Sequence, residues 1–320
     1  MFLSAAVLAF AIWLAGLAGA ESREQPPLND APGIVRAFLA TFPDDLQSSA
    51  RFSFDVPERR RWRRDPSHRP GIAWKDMTVA QRSLVEQLLK SEFSVIGFTT
   101  VKGIMMEQDL IKEEGLGSGY YWFAVYGQPG ESRWGWRFGG HHVSLHFTYD
   151  AGRLISMSPT HLGGEVAGNP SDNWAGYKSL RPRETLARSL ARACDSRQWE
   201  LARISDRVPE GLELSEPTAR PLPGPDSGLK LSLLTSDQRA ILENLVREYY
   251  SAFRQPMIPK SMSELSENAD STRFSWAGSK DEGEPHYYRV QGPGFLIEYW
   301  NAGDHMHTLL RTDHDWGDQK

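Results

Sequence analysis

Two helix starts in this chain read almost alike. MTVAQRSLVEQLL from Met77 lines up with LTSDQRAILENLV from Leu234, and the shared Thr-x-x-Gln-Arg sets Thr78 against Thr235 at an offset of 157. Downstream, WRFGGHHVSLHFTY from Trp136 lines up with YRVQGPGFLIEYWN from Tyr288, so that Arg289 answers Arg137, Gly292 answers Gly140 and Tyr299 answers Phe147, an offset of 152. Upstream, ARFSFDVPE from Ala50 matches ARISDRVPE from Ala202, again at 152. Three matches in one order constrain the fold more than any single motif, because a repeated unit must bury two copies of the same surface. They predict two units, residues 34–165 and 184–316, each running helix, linker, helices and a small antiparallel sheet. The expected fold is α+β and internally duplicated. A pseudo-twofold axis would relate the units, whose apolar sheet faces are buried against each other or under the helices in one compact domain.

Local signals agree with that order. Thr78 and Gln81 form a capping box ahead of Leu84, Val85, Leu88 and Leu89, which marks an amphipathic helix. From Tyr120 the apolar period becomes two, with YYWFAVYG, WGWRFGGHH, HVSLHFTYD and GRLISMSPT as successive strands. Residues 166–183 read as a turn-rich connector, and PTARPLPGPDSG from Pro217 to Gly228 is the clearest loop, placed inside the second unit opposite the basic run of the first. That run holds arginines at 59, 60, 61, 63 and 64 and reads as a solvated, locally paired surface that includes His68.

The first 20 residues, MFLSAAVLAFAIWLAGLAGA, are apolar and end in Ala18-Gly19-Ala20, a pattern that predicts a signal peptide cleaved after Ala20 and a secreted or periplasmic mature chain. The competing reading is a retained anchor, since about 20 apolar residues span a bilayer. Residues 21–33 follow as a polar linker. A formal net charge of −5 offers no general attraction to phosphate backbones or anionic lipid, so neither nucleic acid nor a membrane surface is an expected partner. The single cysteine, Cys194, excludes an intramolecular disulfide, and its helical, apolar surroundings predict an inert buried thiol.

The chemistry concentrates in GEPHYYRVQGPGFLIEYWNAGDHMH, Gly283 to His307, which holds three of nine histidines around a Pro-Gly turn. On a strand, residues two apart face the same way, so His305 and His307 make half of a metal site for zinc, copper or iron. His142 and His286 are the predicted further ligands, with Glu298 as a completing ligand or catalytic base. The competing reading is histidines that hydrogen-bond within a polar pocket. His141 and His142, as adjacent strand residues, are expected on opposite faces with only His142 on the polar side, and His161 and His314 are expected at the surface. Arg137 and Arg289 are read as stacking on aromatics and pairing with Glu131 and Glu284, or as binding a substrate carboxylate. Trp276, with Trp122, Trp134 and Trp300, is a predicted pocket wall.

The segments WGWRFGGHHVSLHFT, GEPHYYRVQGPGFLIEY and the closing DHMH resemble the domain-of-unknown-function family numbered 3500 over most of the mature chain. The resemblance implies no established activity. This chain departs from the pattern at His146 and at Ala302 to Asp304, which argues against a role for His146 or Asp304. The residues therefore point to an exported metal-dependent enzyme, hydrolytic or oxidative, on a small substrate. The alternative is an exported binding protein for a small ligand.

Overall fold

The computed structural model describes residues 30–63, 66–111, 115–165, 175–212, 227–254, 258–303 and 305–318. The apolar leader, most of the 21–33 linker, Arg64, most of Pro217–Gly228, the first part of the connector and Asp304 lie outside the described residues. Helix α1 (Ala31–Leu39) opens the described chain, α2 (Val79–Glu92) and α3 (Val95–Gln108) precede the first run of strands, and α4 (Ala175–Ala193) and α5 (Ser196–Ala202) follow it. Then α6 (Ser236–Tyr250) and α7 (Ile258–Glu267) lead into the second run. The strands are β1 (Arg51–Phe52), β2 (Ile72–Ala73), β3 (Trp122–Tyr126), β4 (Arg133–Gly140), β5 (Val143–Asp150), β6 (Arg153–Ser156) and β7 (Thr160–Glu165). The second run is β8 (Arg203–Ser205), β9 (Leu229–Lys230), β10 (Arg273–Gly278), β11 (His286–Gly292), β12 (Phe295–Asn301) and β13 (His305–Thr312). Among the described residues no helix is long and apolar enough to cross a membrane.

Both matched helix starts are capping boxes. Thr78 Oγ1 accepts from the Gln81 amide while Gln81 Oε1 accepts from the Thr78 amide, and Thr235 with Gln238 repeats the exchange. Each box satisfies two amides that a helix start leaves unpaired. Gln81 and Gln238 are buried by it, and their side-chain amides reach on to Thr41 Oγ1 and to the Ala193 carbonyl.

The thirteen strands form one mixed sheet in the order β1-β3-β4-β5-β7-β13-β12-β11-β10-β8, with β2 on β3, β6 on β5 and β9 on β10. Most pairs are antiparallel; β1 with β3 and β8 with β10 are parallel. A separate small sheet in each half was expected, and a single sheet is found. The last strand of each run, β7 and β13, pair antiparallel from Glu165↔His305 to Thr160↔Leu310. That pairing satisfies two rows of backbone groups that separate sheets would leave as open edges.

Strand parity gives the sheet two different faces. On one, Phe123, Trp136, Phe138, Leu145, Phe147, Val290, Ile297 and Tyr299 meet Val85, Leu88, Val101 and Ile104 of the helices in the main core. The other face is polar yet buried: Arg137, Ser144, His146, Thr148, His161, Arg289, Glu298, His307 and Arg311 lie on it, all less than a tenth exposed. Irregular chain covers this face, with Trp62, Leu212 and Trp316 forming a small apolar cluster on Leu309 and Trp300. Arg59, expected at the surface, is part of the cover. Its Nη2 sits 2.7 Å from Asp318 Oδ1 and its Nη1 donates to the Trp316 carbonyl at 2.6 Å, which supplies the partners a buried guanidinium requires.

Candidate metal centre

The β12–β13 register fixes where the histidine pair points. His307 lies opposite Trp300 on one side and Gly163 of β7 on the other, and His305 lies opposite Glu165. His305 and His307 therefore share the polar face, with ring centroids 4.7 Å apart and planes 23° off parallel.

A second pair reaches them from the β4–β5 connection. Gly140 and Val143 close the ladder, which leaves His141 and His142 as a two-residue turn, and His142 takes φ +65°. A left-handed residue at the end of such a turn redirects its side chain, so the strand rule that would set these neighbours on opposite faces does not apply. Their rings stack at 3.8 Å and both enter the site. Gly163 makes room for this approach, because a Cβ there would fall 2.8 Å from His142 Cδ2.

Three ring nitrogens converge as a result. His305 Nε2 is 2.7 Å from His142 Nε2 and 2.7 Å from His307 Nε2. Two imidazole nitrogens at that distance cannot both aim lone pairs at each other, so a proton or a cation must lie between them. Ligand atoms of His141, His142, Glu165 and His305 all fall within 4.8 Å of one another, a group that could hold a metal ion. Burial is the main reason that His142 has a pKa well below the usual histidine value, with the neighbouring histidines adding to it. The ring stays neutral at physiological pH, the state in which an imidazole ligates.

The outer contacts orient these rings. Gln108, at the end of α3 and fully buried, places Oε1 2.7 Å from His141 Nδ1 and Nε2 2.9 Å from His142 Nδ1. His161, expected at the surface, is fully buried on β7, with its Nε2 2.9 Å from His307 Nδ1 and Trp62 against its ring. Tyr121 OH donates to the His141 carbonyl and anchors the turn.

Of the predicted ligands, the structure brings His142, His305 and His307 together and sets His286 elsewhere. His286 pairs with Asn301, one residue out of phase with Trp300 and His307, and so points into the helix-covered face. There it stacks between Trp276 at 4.9 Å and Tyr299 at 5.4 Å, and its Nδ1 accepts from Arg188 Nη2 at 2.9 Å. Trp276, predicted as a pocket wall, is a fully buried core side chain beside it. Glu298 shares the polar face and accepts from Tyr287 OH at 2.7 Å, two residues along β12 from Trp300 and outside the converging group. Arg137 pairs with Glu58, at 3.3 Å, and donates to the Glu58 and Arg61 carbonyls; the predicted partner Glu131 is exposed. Arg289 reaches Ser227 Oγ at 3.4 Å, and Glu284 is likewise exposed. His146 is buried against Ser144 Oγ at 3.1 Å, and burial followed by Arg137 holds its pKa well below the usual value. Cys194 donates to the Leu190 carbonyl, and burial raises its thiol pKa to about 11, which fits an inert residue.

The sequence reasoning missed Glu165, Gln108, His141 and His161. His161 and Glu165 carried a local signal, since THLGGE read as a strand sets His161, Gly163 and Glu165 on one face.

The chain belongs to the family described as Protein of unknown function (DUF3500), whose model matches residues 25–318. No curated protein matches it, and no solved structure does.

Proposed function

We propose that the histidine cluster binds one transition-metal ion and that the protein is an exported metal-dependent enzyme acting on a small substrate. The convergence of His142 and His307 Nε2 on His305 Nε2, each at 2.7 Å, carries this reading. His305, His307 and a turn histidine would hold the ion, with the Glu165 carboxylate beside them. Imidazole donors suit zinc, copper or iron, and an ion with an open position would supply an activated water or a redox centre. Trp300, half-buried with its ring 5.8 Å from His305 and 5.5 Å from His307, walls one side of the site. The export half of the proposal rests on the apolar leader ending at Ala20.

The deciding experiment is metal analysis of protein made without a histidine tag. The expected result is about one equivalent of zinc, copper or iron per chain, absent from His305→Ala. No metal in the purified protein, and none after incubation with each of the three ions, would overturn it in favour of a small-ligand binding protein.

We also infer that the two halves are one unit repeated. In support, β1 pairs parallel with β3 as β8 does with β10, and Arg137 faces His146 across β4–β5 as Arg289 faces Glu298 across β11–β12. An experimental structure in which residues 77–165 fail to superpose on 234–316 would remove this inference.

A further inference from the structure

Gln108 bridges the two turn histidines through opposite ends of one amide. A glutamine amide has a donor end and an acceptor end. Oε1 takes a proton only from an Nδ1–H, and Nε2–H gives one only to an Nδ1 lone pair. As placed, His141 is an Nδ1–H donor with a bare Nε2, whereas His142 accepts at Nδ1 and, being neutral, carries its proton on Nε2. Turning the amide over exchanges the two assignments and leaves the opposition intact. We infer that Gln108 is a positioning residue that holds His141 and His142 in opposite tautomers, so that only one of the two presents a bare Nε2 to the site at a time.

The rest of the network accommodates this rule. In the orientation given, His142 Nε2–H points at the His305 Nε2 lone pair, which His307 Nε2–H also approaches; His307 Nδ1 then accepts from His161 Nε2–H. This assignment needs no charged ring. With the amide reversed, the proton of His142 moves to Nδ1 and its bare Nε2 faces His305. The turn histidine left with Nε2–H becomes a hydrogen-bond donor beside whatever the site holds. For metal binding, which rests on the proposed function, the consequence is three histidine ligands: His305, His307 and one turn histidine. A second turn imidazole is excluded by a tautomer, since ligand atoms of His141, His142 and His305 lie within 4.8 Å of one another.

Long-range nitrogen–proton NMR on metal-free protein reads these tautomers directly, whether or not a metal ever binds. The expected pattern is one Nδ1–H and one Nε2–H for His141 and His142, assigned with His141→Gln. In Gln108→Glu the side chain accepts at both ends, and both histidines are expected as Nδ1–H. With Gln108→Met no bridge exists, and the opposition is lost. Far-UV circular dichroism checks that each variant is folded. The same tautomer on both histidines in the wild type, or a pattern unchanged in Gln108→Glu, would overturn the inference. X-ray absorption of zinc-loaded protein gives the second reading, with the imidazole count rising from three to four in Gln108→Glu. A protein that shows the tautomer pattern yet takes up none of zinc, copper and iron would overturn the proposed function and keep the role of Gln108.

Discussion

His142 and His305, 163 positions apart in the chain, share a proton-width gap of 2.7 Å between their Nε2 atoms. The contact exists because β7 and β13 join the two strand runs and because the β4–β5 turn folds back over Gly163. His305 is the common partner in both close nitrogen pairs, so its loss leaves His142 and His307 with no shared centre. His305→Ala is expected to abolish metal retention, and His307→Ala to do the same. His68→Ala and His314→Ala, which lie outside the cluster, are expected to keep the wild-type metal content. Loss of metal from the last two variants as well would point to adventitious surface binding.

Gly163→Ala tests the approach itself. The added methyl would meet His142 Cδ2 at 2.8 Å and the Met306 carbonyl at 2.9 Å, both closer than real contacts allow. The strand pairing holds the backbone, so the turn histidine is the part free to retreat. Overpacking of this kind costs about 1–3 kcal/mol, and the expected variant is folded, melts several degrees lower and binds metal far more weakly. Calorimetric melting with metal titration separates the two effects; unchanged affinity would show that His142 is not a ligand.

His161 acts through His307. A ring nitrogen 2.9 Å from His307 Nδ1 fixes the orientation of that imidazole, and removing such an outer partner typically weakens metal binding about 10–100-fold. His161→Phe fills the same space against Trp62 without the nitrogen. The expected outcome is a weakened dissociation constant for zinc within that range and an unchanged stoichiometry. An affinity equal to the wild type would reduce His161 to a packing residue.

How much of this was legible depended on whether local rules reached far enough. The capping box at Thr78 is contained in four residues and folds as read, and the aligned Thr235 with Gln238 repeats it. The same-face placement of His305 and His307 follows from strand parity alone. The same rule failed at His141 and His142 because they form the turn, where the +65° φ of His142 replaces alternation. His286 was assigned without a register. Pro293-Gly294 as a two-residue turn sets Gly292 against Phe295 and hence His286 against Asn301, out of phase with Trp300 and His307. Gln108 had no such route, since it reaches the site from the end of α3 through a tertiary contact that no spacing in the sequence encodes. The single sheet was hidden for a related reason: the pairing of β7 with β13 joins segments about 145 residues apart.

The last prediction turns the misplacement of His286 into a measurement. Burial against Trp276 and Tyr299 lowers its pKa to about 4, with Glu184 partly opposing and Arg188 reinforcing the shift, and the nitrogen that would take the second proton, Nδ1, already accepts from Arg188 Nη2 at 2.9 Å. In the unfolded chain the same ring titrates near 6.5. Above pH 6.5 both states are neutral and the folded state is at its full advantage. As the pH falls from 6.5 to about 4 the unfolded chain takes up the proton first, and stability is lost across that window, by about 3 kcal/mol from this residue. His286→Phe keeps a ring between Trp276 and Tyr299 and removes the titration, while Arg188 retains Glu184 at 2.9 Å. His142 and His146 lose stability in the same direction, and Glu92 and Asp315, raised by burial, run the opposite way, but all four are present in both proteins and cancel in the comparison. Urea unfolding of metal-free protein at pH 7 and pH 4 is therefore expected to show a smaller loss in His286→Phe than in the wild type, by about 3 kcal/mol. Equal losses in the two proteins would mean that His286 titrates alike folded and unfolded, and that the helix-covered face is wetter than its packing implies.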